Sequence, residues 1–290
     1  MNWLKYSKIY YIVSGVLIAA SIFSILRWGF QIGIEFTGGT VVEYKIEKDF
    51  DRQSVLDKDF LQTVEISSIS ETGEGSYIFR VSRLVPEEKD ALRQKIESEV
   101  QSGVEELKFE VVGPSVGPEL IKKTAYALII AVTLILLWVA VQFKKLSFGA
   151  AAILAMLHDT FILVGSFSLL GHFFGAQVDF LFVTAVLTTL SFSVHDTIVV
   201  FDRIREIQKK HGGDLYDISN RALTETMVRS LNNSFTIIFM LVALLLLGGT
   251  TIKWFAAALL VGTVLGTYSS PFVAVPLLNI FASLRLRKNA

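Results

Sequence analysis

Two apolar stretches of the sequence each contain a histidine followed by an aspartate and a threonine. His158 and Asp159 lie in one stretch, and His195 and Asp196 lie in the other. Each stretch is about long enough to cross a bilayer, which takes ~20 predominantly apolar residues. An ionised carboxylate in such a segment costs roughly 2.5–3.5 kcal/mol on insertion scales, so an acid kept there usually serves a function. Acids with neighbouring histidines inside a membrane indicate proton handling.

The composition is that of a polytopic membrane protein. Of the 290 residues, 52% are hydrophobic, and the mean hydropathy is +0.54. These values are too apolar for an ordinary soluble domain. The chain has no cysteine, which excludes disulfides, thiolate metal sites and a thiol nucleophile.

The lengths of the apolar runs predict six membrane spans. The first run is longer than the core of a signal peptide and no small-residue cleavage site follows it, so we interpret it as a retained anchor. Pro271 and Pro276 predict a kink or an early exit near the end of the sixth span. Gly262 and Gly266 in the same span give it a small-residue face for helix packing. The predicted spans are residues 9–26, 124–143, 147–170, 178–201, 234–248 and 255–278.

Charge in the short connections predicts the orientation of the spans, because lysine and arginine favour the cytoplasmic side. Connections on one side carry almost no basic residues apart from Lys253. The other side holds both termini, which are therefore predicted to be cytoplasmic. Residues 35–119 contain 19 of the 27 acidic residues and only 10 of the 27 basic ones. The basic residues of the cytoplasmic side are Lys5, Lys8, Lys144, Lys145, Arg203, Arg205, Lys209, Lys210, Arg221, Arg229, Arg285, Arg287 and Lys288.

The chain is predicted to consist of a first transmembrane helix (1–29), an extracytoplasmic α+β domain between helices 1 and 2 (30–120) and a five-helix membrane region (121–290). Alternating apolar residues in the outer domain predict strands, and the order β-α-β-β-α-β is the ferredoxin-like pattern. The predicted strands are 40–48, 64–72, 76–84 and 104–112, and the predicted helices are 51–62 and 86–100. We interpret the residues that flank the domain as hinges or as stiff linkers. These residues are Gly38, Gly39, Gly113 and Pro114.

An amphipathic cytoplasmic connection, 202–231, follows the fourth span. Helix four is expected to continue into it, with Glu206 and Lys210 as an i,i+4 ion pair. Two glycines at 212–213 end this helix, and Asp214 is a plausible cap for a second helix that runs toward Arg229.

Asp196 is the acid best placed for proton coupling, because it lies late in the fourth span. Arg203 is on the same helical face but about 10 Å away at 1.5 Å per residue, too far for a direct pair. Arg229, just before the fifth span, is the better partner. Burial and a nearby guanidinium shift the pKa of an aspartate in opposite directions. We therefore hypothesise that protonation of Asp196 breaks its pairing with Arg229 and lets the bundle change shape.

Other uses of these residues stay open at this point. Asp196 could instead pack against hydroxyl groups as a structural contact, and Arg229 could be a positive-inside anchor. Asp159 is either a second relay acid or a group that orients other polar side chains. His158 and His195 each point about 100° away from the neighbouring acid around the helix, so each is either a packing group or an auxiliary proton carrier.

Metal and nucleotide chemistry are not expected from this sequence. There is no H-E-x-x-H motif and no i,i+4 pair of histidines. Phosphate-binding loops are absent as well. We therefore expect no metal and no cofactor, with protons as the coupling ion.

Four segments resemble, in order, the signatures of the SecD/SecF family of bacterial protein-export membrane subunits, within the resistance-nodulation-division superfamily. Two departures occur: the first signature usually has aspartate where this chain has Glu35, and the residue before Asp196 is commonly asparagine rather than His195. The segments are GIEFTGGT (33–40), VVGPSVGPEL (111–120), SFSVHDTIVVFDRIRE (191–206) and LTETMVRSL (223–231).

The resemblance implies a six-helix half that pairs with a homologous half, SecD, and associates with the SecYEG channel. It implies an accessory subunit in the bacterial inner membrane, not an enzyme, that uses the proton-motive force in late-stage export. Its other partners would be the unfolded preprotein and membrane lipid, with no nucleic acid. The family match also implies that the arginine at position 229 acts with the aspartate at position 196.

Two other functions remain as alternatives. One is a proton-driven small-solute exporter of the same superfamily, which would need a larger outer domain or a second half with a substrate cleft. The other is an intramembrane hydrolase using Asp159 and Asp196, but the Gly-x-Gly-Asp element of paired-acid membrane proteases is not present.

Overall fold

The computed structural model describes residues 2–46, 66–73, 75–81, 84, 86–100, 103–113, 116–143 and 145–289. The chain divides into two compact units. The first, the membrane unit, comprises Met1–Phe30, Ala127–Leu169 and Leu181–Ala290. The second, the sheet unit, comprises Gln31–Tyr126 and Leu170–Phe180.

Six helices in the described part are long and apolar enough to cross a membrane, which confirms the predicted number of spans. The helices are α1 (Ser7–Trp28), α2 (Ile34–Thr37), α3 (Pro86–Val100), α4 (Val116–Gln142), α5 (Leu146–Phe174), α6 (Phe180–His211), α7 (Leu215–Leu247), α8 (Thr250–Ser269) and α9 (Val275–Asn289). The first five spans are α1, α4, α5, α6 and α7. The last span begins in α8 and continues through a π-helical turn, Ser270–Ala274, into α9.

The fifth span differs from the prediction. The apolar stretch 234–248 is the end of one continuous helix, α7, which begins directly after the glycine pair. Asp214 caps this helix as expected, since its carboxylate accepts a hydrogen bond from the backbone N–H of Tyr216 at 3.1 Å. Because neither proline nor glycine interrupts 215–247, the backbone ladder continues through the change from polar to apolar sequence. Residues 215–231 of the connection and the fifth span therefore form one continuous helix.

The end of the sixth span also differs in part. The helix does not exit at Pro271 but passes through the π-helical turn and continues as α9. Proline removes a backbone donor from the helical ladder, and a π-helical turn is one way to absorb that loss. The serines at 269 and 270 thereby lie at the point where the helix changes its winding.

A four-stranded antiparallel sheet forms the core of the sheet unit. Its strands are ordered β2-β3-β1-β4. Val42, Tyr44, Phe79, Leu92 and Ile96 are fully or almost fully buried between the sheet and α3. The predicted helix 51–62 lies outside the described residues, so the ferredoxin-like assignment remains a prediction. The strands are β1 (Gly39–Ile46), β2 (Ile66–Gly73), β3 (Ser76–Val81) and β4 (Val104–Val112).

The connection between α5 and α6 also belongs to the sheet unit, which sequence reasoning missed. The backbone N–H of Val178 donates to the carbonyl of Gln31 at 2.8 Å, and that of Gly33 donates to the carbonyl of Val178 at 3.0 Å. The amide of Gln31 also donates to the carbonyl of Gly171 at 2.7 Å. These bonds join segments about 140 residues apart, so no local pattern indicates them.

The substitution Leu92→Ala is expected to destabilise the sheet unit. Leu92 is 0% exposed on α3, and deleting a buried leucine side chain typically costs about 2–5 kcal/mol of unfolding free energy. Hydrogen exchange of the full-length protein in detergent would show faster exchange in β1, β3 and α3. Gln94→Ala on the exposed face of the same helix is the matched control and should leave these rates near those of the parent. Equal protection in the two variants would contradict the packing described above.

Candidate functional site

Both aspartates that stand out in the sequence are buried inside the membrane unit. Asp159 on α5 is 6% exposed and Asp196 on α6 is 4% exposed. Buried charges and polar groups in proteins require hydrogen-bond partners. Both acids have such partners here, among them hydroxyl groups on neighbouring helices.

Asp196 is bound by α7. The hydroxyl of Ser230 donates to a carboxylate oxygen of Asp196 at 2.7 Å. The next residue on α6, Thr197, shares a hydrogen bond of 3.0 Å with Ser270 at the start of the π-helical turn. This short polar segment of α6 therefore contacts both α7 and the last span.

Arg229 does not contact Asp196 in this structure. Its side chain is exposed and lines an open cleft of about 1360 Å³, together with Val199 and Thr226. Successive residues on a helix point about 100° apart, so a rotation of α7 that faces Ser230 toward Asp196 turns Arg229 toward the cleft. The pairing of Asp196 with Arg229 remains a prediction for another conformation.

Arg203 is not a partner of Asp196 either, as expected from its distance along the helix. Its guanidinium donates to Glu225 at 2.6 Å and to Glu206 at 2.5 Å. Lys210 also donates to Glu206, at 2.7 Å. These exposed ion pairs link α6 to α7 at the end of the cleft.

Asp159 has three hydrogen-bond partners, which lie on three different helices. One carboxylate oxygen accepts from the hydroxyls of Ser193 at 2.7 Å and Ser269 at 2.5 Å. The other lies 2.9 Å from Nδ1 of His158. Asp159 therefore joins α5 to α6 and α8. Sequence reasoning missed both serines, whose only signal is an interruption of the apolar runs at 191–193 and 269–270.

The expectation that His158 points away from its neighbouring acid is wrong. Adjacent Cβ atoms do diverge around the helix, but the imidazole ring is long enough to reach back, so Nδ1 meets the carboxylate of Asp159. His158 is only 9% exposed. Its Nε2 is buried and has no hydrogen-bond partner within the described ranges. His195, in contrast, is exposed on α6.

The residues interpreted as hinges lie at the ends of the sheet. Gly38 and Gly39 have φ angles of 72° and 120°, values that residues with a side chain rarely adopt. Gly38 precedes β1, and Gly39 is the first residue of that strand. Gly113 follows β4, and its carbonyl accepts from the backbone N–H of Val116 at 3.0 Å. Pro114 lies outside the described residues. Whether these positions bend remains a prediction.

Comparison with known proteins places this arrangement in a family. The model of the family described as "Protein export membrane protein SecD/SecF, C-terminal" matches residues 92–283. The Protein translocase subunit SecF of Thermobaculum terrenum is 43% identical over 285 residues, which cover 93% of this chain and 90% of that protein. The subunit of the same name from Sebaldella termitidis is 36% identical, with coverage of 97% and 91%.

A solved structure has the same fold over nearly the whole chain. It is the crystal structure of SecDF, a translocon-associated membrane protein from Thermus thermophilus, with a TM-score of 0.83 and 31% sequence identity. The match covers 98% of this chain but only 39% of that chain. The structure of SecDF in a super-membrane-facing form matches with a TM-score of 0.71.

Proposed function

Because this chain belongs to the SecD/SecF family of protein-export membrane proteins, as a SecF translocase subunit, we propose that it uses the proton-motive force to promote late-stage export of preproteins. The observation that carries the proposal is the buried carboxyl group of Asp196, which accepts a hydrogen bond from Ser230 on α7 at 2.7 Å, while the adjacent Arg229 lines the open cleft. A lone buried acid in a membrane span usually marks an ion or proton pathway.

The proposed coupling step is a change of partner at Asp196. When Asp196 is ionised, a small rotation of α7 would bring Arg229 from the cleft to the carboxylate. Protonation removes the negative charge, so the attraction to Arg229 is lost and Ser230 can take its place. Each proton that crosses ~100 mV releases about 2.3 kcal/mol, which biases a two-state element by about fifty-fold. Since α7 is one continuous helix, its rotation would be transmitted to the cytoplasmic ion pairs.

The proposed relay includes Asp159 as a second acid. Ser193, which binds Asp159, and Asp196 lie one turn apart on α6. A change of charge at one acid would therefore be felt at the other through α6. His158 and the exposed His195 are the proposed auxiliaries of this relay.

SecD is the proposed partner in the membrane, with SecYEG and the preprotein as further partners. Polar side chains on α6 and α7 are exposed at helical spacing within and next to the predicted spans, where lipid would disfavour them. A second helical bundle would cover this surface, and the SecDF relative is much longer than this chain. The exposed polar residues are Thr184, Thr188, Ser191 and His195 on α6, and Arg229, Asn232, Asn233 and Thr236 on α7.

The proposed topology follows from the basic residues in the connections. Both termini and the connection between α6 and α7 would face the cytoplasm of a bacterium, and the sheet unit would lie outside the inner membrane. Labelling of single cysteines introduced into this cysteine-free chain would test the arrangement. Cysteines at Glu97 on α3 and at Lys210 on α6 should react with a membrane-impermeant reagent from opposite sides.

The partners can be identified by purification of the tagged full-length chain from native membranes in mild detergent. SecD and channel subunits are the expected companions. A homotrimer bound to an outer-membrane duct would instead support the small-solute exporter. In the same strain, export of a preprotein should slow when the chain is depleted. This slowing should vanish when an uncoupler has already collapsed the proton gradient.

A further inference from the structure

The buried pair His158–Asp159 on α5 forms a polar site separate from Asp196. We infer that this pair is a second proton-carrying site, in which Nε2 of His158 takes up the proton and Asp159 keeps its negative charge. The inference rests on the proposed proton coupling and names the atom that would carry the proton.

The donors around Asp159 favour a carboxylate over a carboxylic acid. Ser193 and Ser269 each donate a hydroxyl hydrogen to one oxygen, and Nδ1 of His158 faces the other at 2.9 Å. When Nδ1 of His158 carries the hydrogen, an ionised carboxylate accepts all three bonds, whereas a protonated one would carry a hydrogen of its own toward Nδ1. Hydrogen bonds to a charged acceptor are also the stronger kind. A proton that enters this site is therefore better placed on the histidine.

The contact with Asp159 determines which nitrogen of His158 is open. If Nδ1 carries the hydrogen donated to Asp159, the neutral ring has a bare lone pair at Nε2. Nε2 is buried and has no partner in the described part of the chain. The lone pair of Nε2 is therefore the position at which the ring of His158 can take up a proton.

The uptake step balances without any further reactant. A proton delivered by a hydronium ion forms the Nε2–H bond, and a water molecule is released. The pair changes from a neutral ring beside a carboxylate to an imidazolium beside a carboxylate, so its net charge changes from −1 to 0. Release of the proton to water reverses the step.

The neighbouring helices bring few other titratable groups to this pair. On α6 they are Asp196, one turn beyond Ser193, and the exposed His195. On α8, Tyr268 is adjacent to Ser269, but its hydroxyl donates to the backbone carbonyl of Tyr10 on α1 at 2.9 Å. A change of charge at the pair would act first on the serine bonds to α6 and α8.

Nitrogen-15 NMR of the full-length protein in lipid nanodiscs tests the inference directly. The four histidines would be labelled in their rings, and the signal of His158 would be assigned by its loss in His158→Asn. As the pH is lowered, we expect Nε2 to change from an unprotonated to a protonated signal in one step. In Asp159→Asn, which removes the paired negative charge, this change of signal should occur at a different pH. A ring that keeps the same signals across the whole range would overturn the inference.

A pair of variants separates proton carriage from packing. Asparagine at position 158 places an N–H close to where Nδ1 lies but has no counterpart of Nε2, whereas phenylalanine removes both. We expect His158→Asn to assemble and unfold thermally like the parent while losing the dependence of export on external pH. His158→Phe should lose thermal stability as well. Retention of the parent's pH profile by His158→Asn would refute the inference.

These outcomes are distinguishable from failure of the proposed function. If export does not depend on the proton gradient in the parent protein, the proposed function fails, whatever His158 does in the NMR titration. If export depends on the gradient and His158 does not titrate, only the inference about the pair fails.

Discussion

Asp196→Asn is expected to reduce export to the rate that remains when the proton gradient is collapsed. Asparagine has nearly the same shape and its carbonyl oxygen can still accept the hydrogen bond from Ser230, but it cannot take up or release a proton. The loss would remove the drive of about 2.3 kcal/mol per proton at ~100 mV, a factor of about fifty. Pulse-labelling of an exported preprotein, with and without an uncoupler, measures this directly in cells depleted of the native chain.

The matched control is Asp217→Asn, the same substitution at an exposed position in the first turn of α7. It should export at the parental rate and respond normally to the uncoupler. Both variants should still purify with SecD, since the substitution at Asp196 leaves the shape of the bundle intact. An Asp196→Asn protein with parental, uncoupler-sensitive export would rule out the coupling step.

The role of Arg229 can be measured in the same assay. If Arg229 acts by pairing with Asp196, Arg229→Gln should lose the same proton-driven component, and the double variant should be no worse than either single one. Such non-additivity is the signature of residues that act as one unit. Additive losses would mean that Arg229 contributes independently, for example as a basic anchor at the membrane surface.

Gly262→Leu is expected to cause a large loss of stability in the membrane unit. A side chain at Gly262 on α8 would overlap that of Thr189 on α6, so the two helices must separate. Overpacking of this kind typically costs about 1–3 kcal/mol. Separation would also stretch the bond of Ser269 to Asp159 and that of Ser270 to Thr197. Thermal unfolding of the purified protein in detergent should show a clearly lower midpoint, with little intact complex recovered.

Gly15→Leu provides the comparison for this variant. Gly15 is an exposed glycine of α1, and nothing lies within 4 Å of the position that its Cβ would occupy. The same increase in side-chain volume should therefore leave the unfolding midpoint unchanged or raise it, because leucine favours helix more than glycine does. A similar midpoint for both leucine variants would show that the contact between α6 and α8 is not close packed.

The serines around the acids show where sequence reasoning reaches its limit. Ser193 and Ser269 bind Asp159, yet Ser269 is 110 residues away in sequence. Serine is common in membrane helices as a packing residue, so its type carries no specific signal. The relation between Ser230 and Arg229 depends on the rotation of α7 about its own axis. If α7 turned about its axis by the angle between two successive residues, the guanidinium of Arg229 would face Asp196 in place of the hydroxyl of Ser230. The hydropathy of the sequence does not indicate which of the two faces Asp196.

The sequence by itself determined the number of membrane spans, the acids worth attention and the family. The thickness of the bilayer fixes the length of the apolar run that can cross it, and an acidic residue is easily recognised within such a run. Several motifs that occur in a fixed order along the chain are specific to one family. Only the tertiary structure decided which side chains meet: Asp196 with Ser230, Asp159 with two serines, and His158 with the acid beside it. Hydrogen bonds act over about 3 Å, and distances that short depend on how the helices rotate and pack against each other.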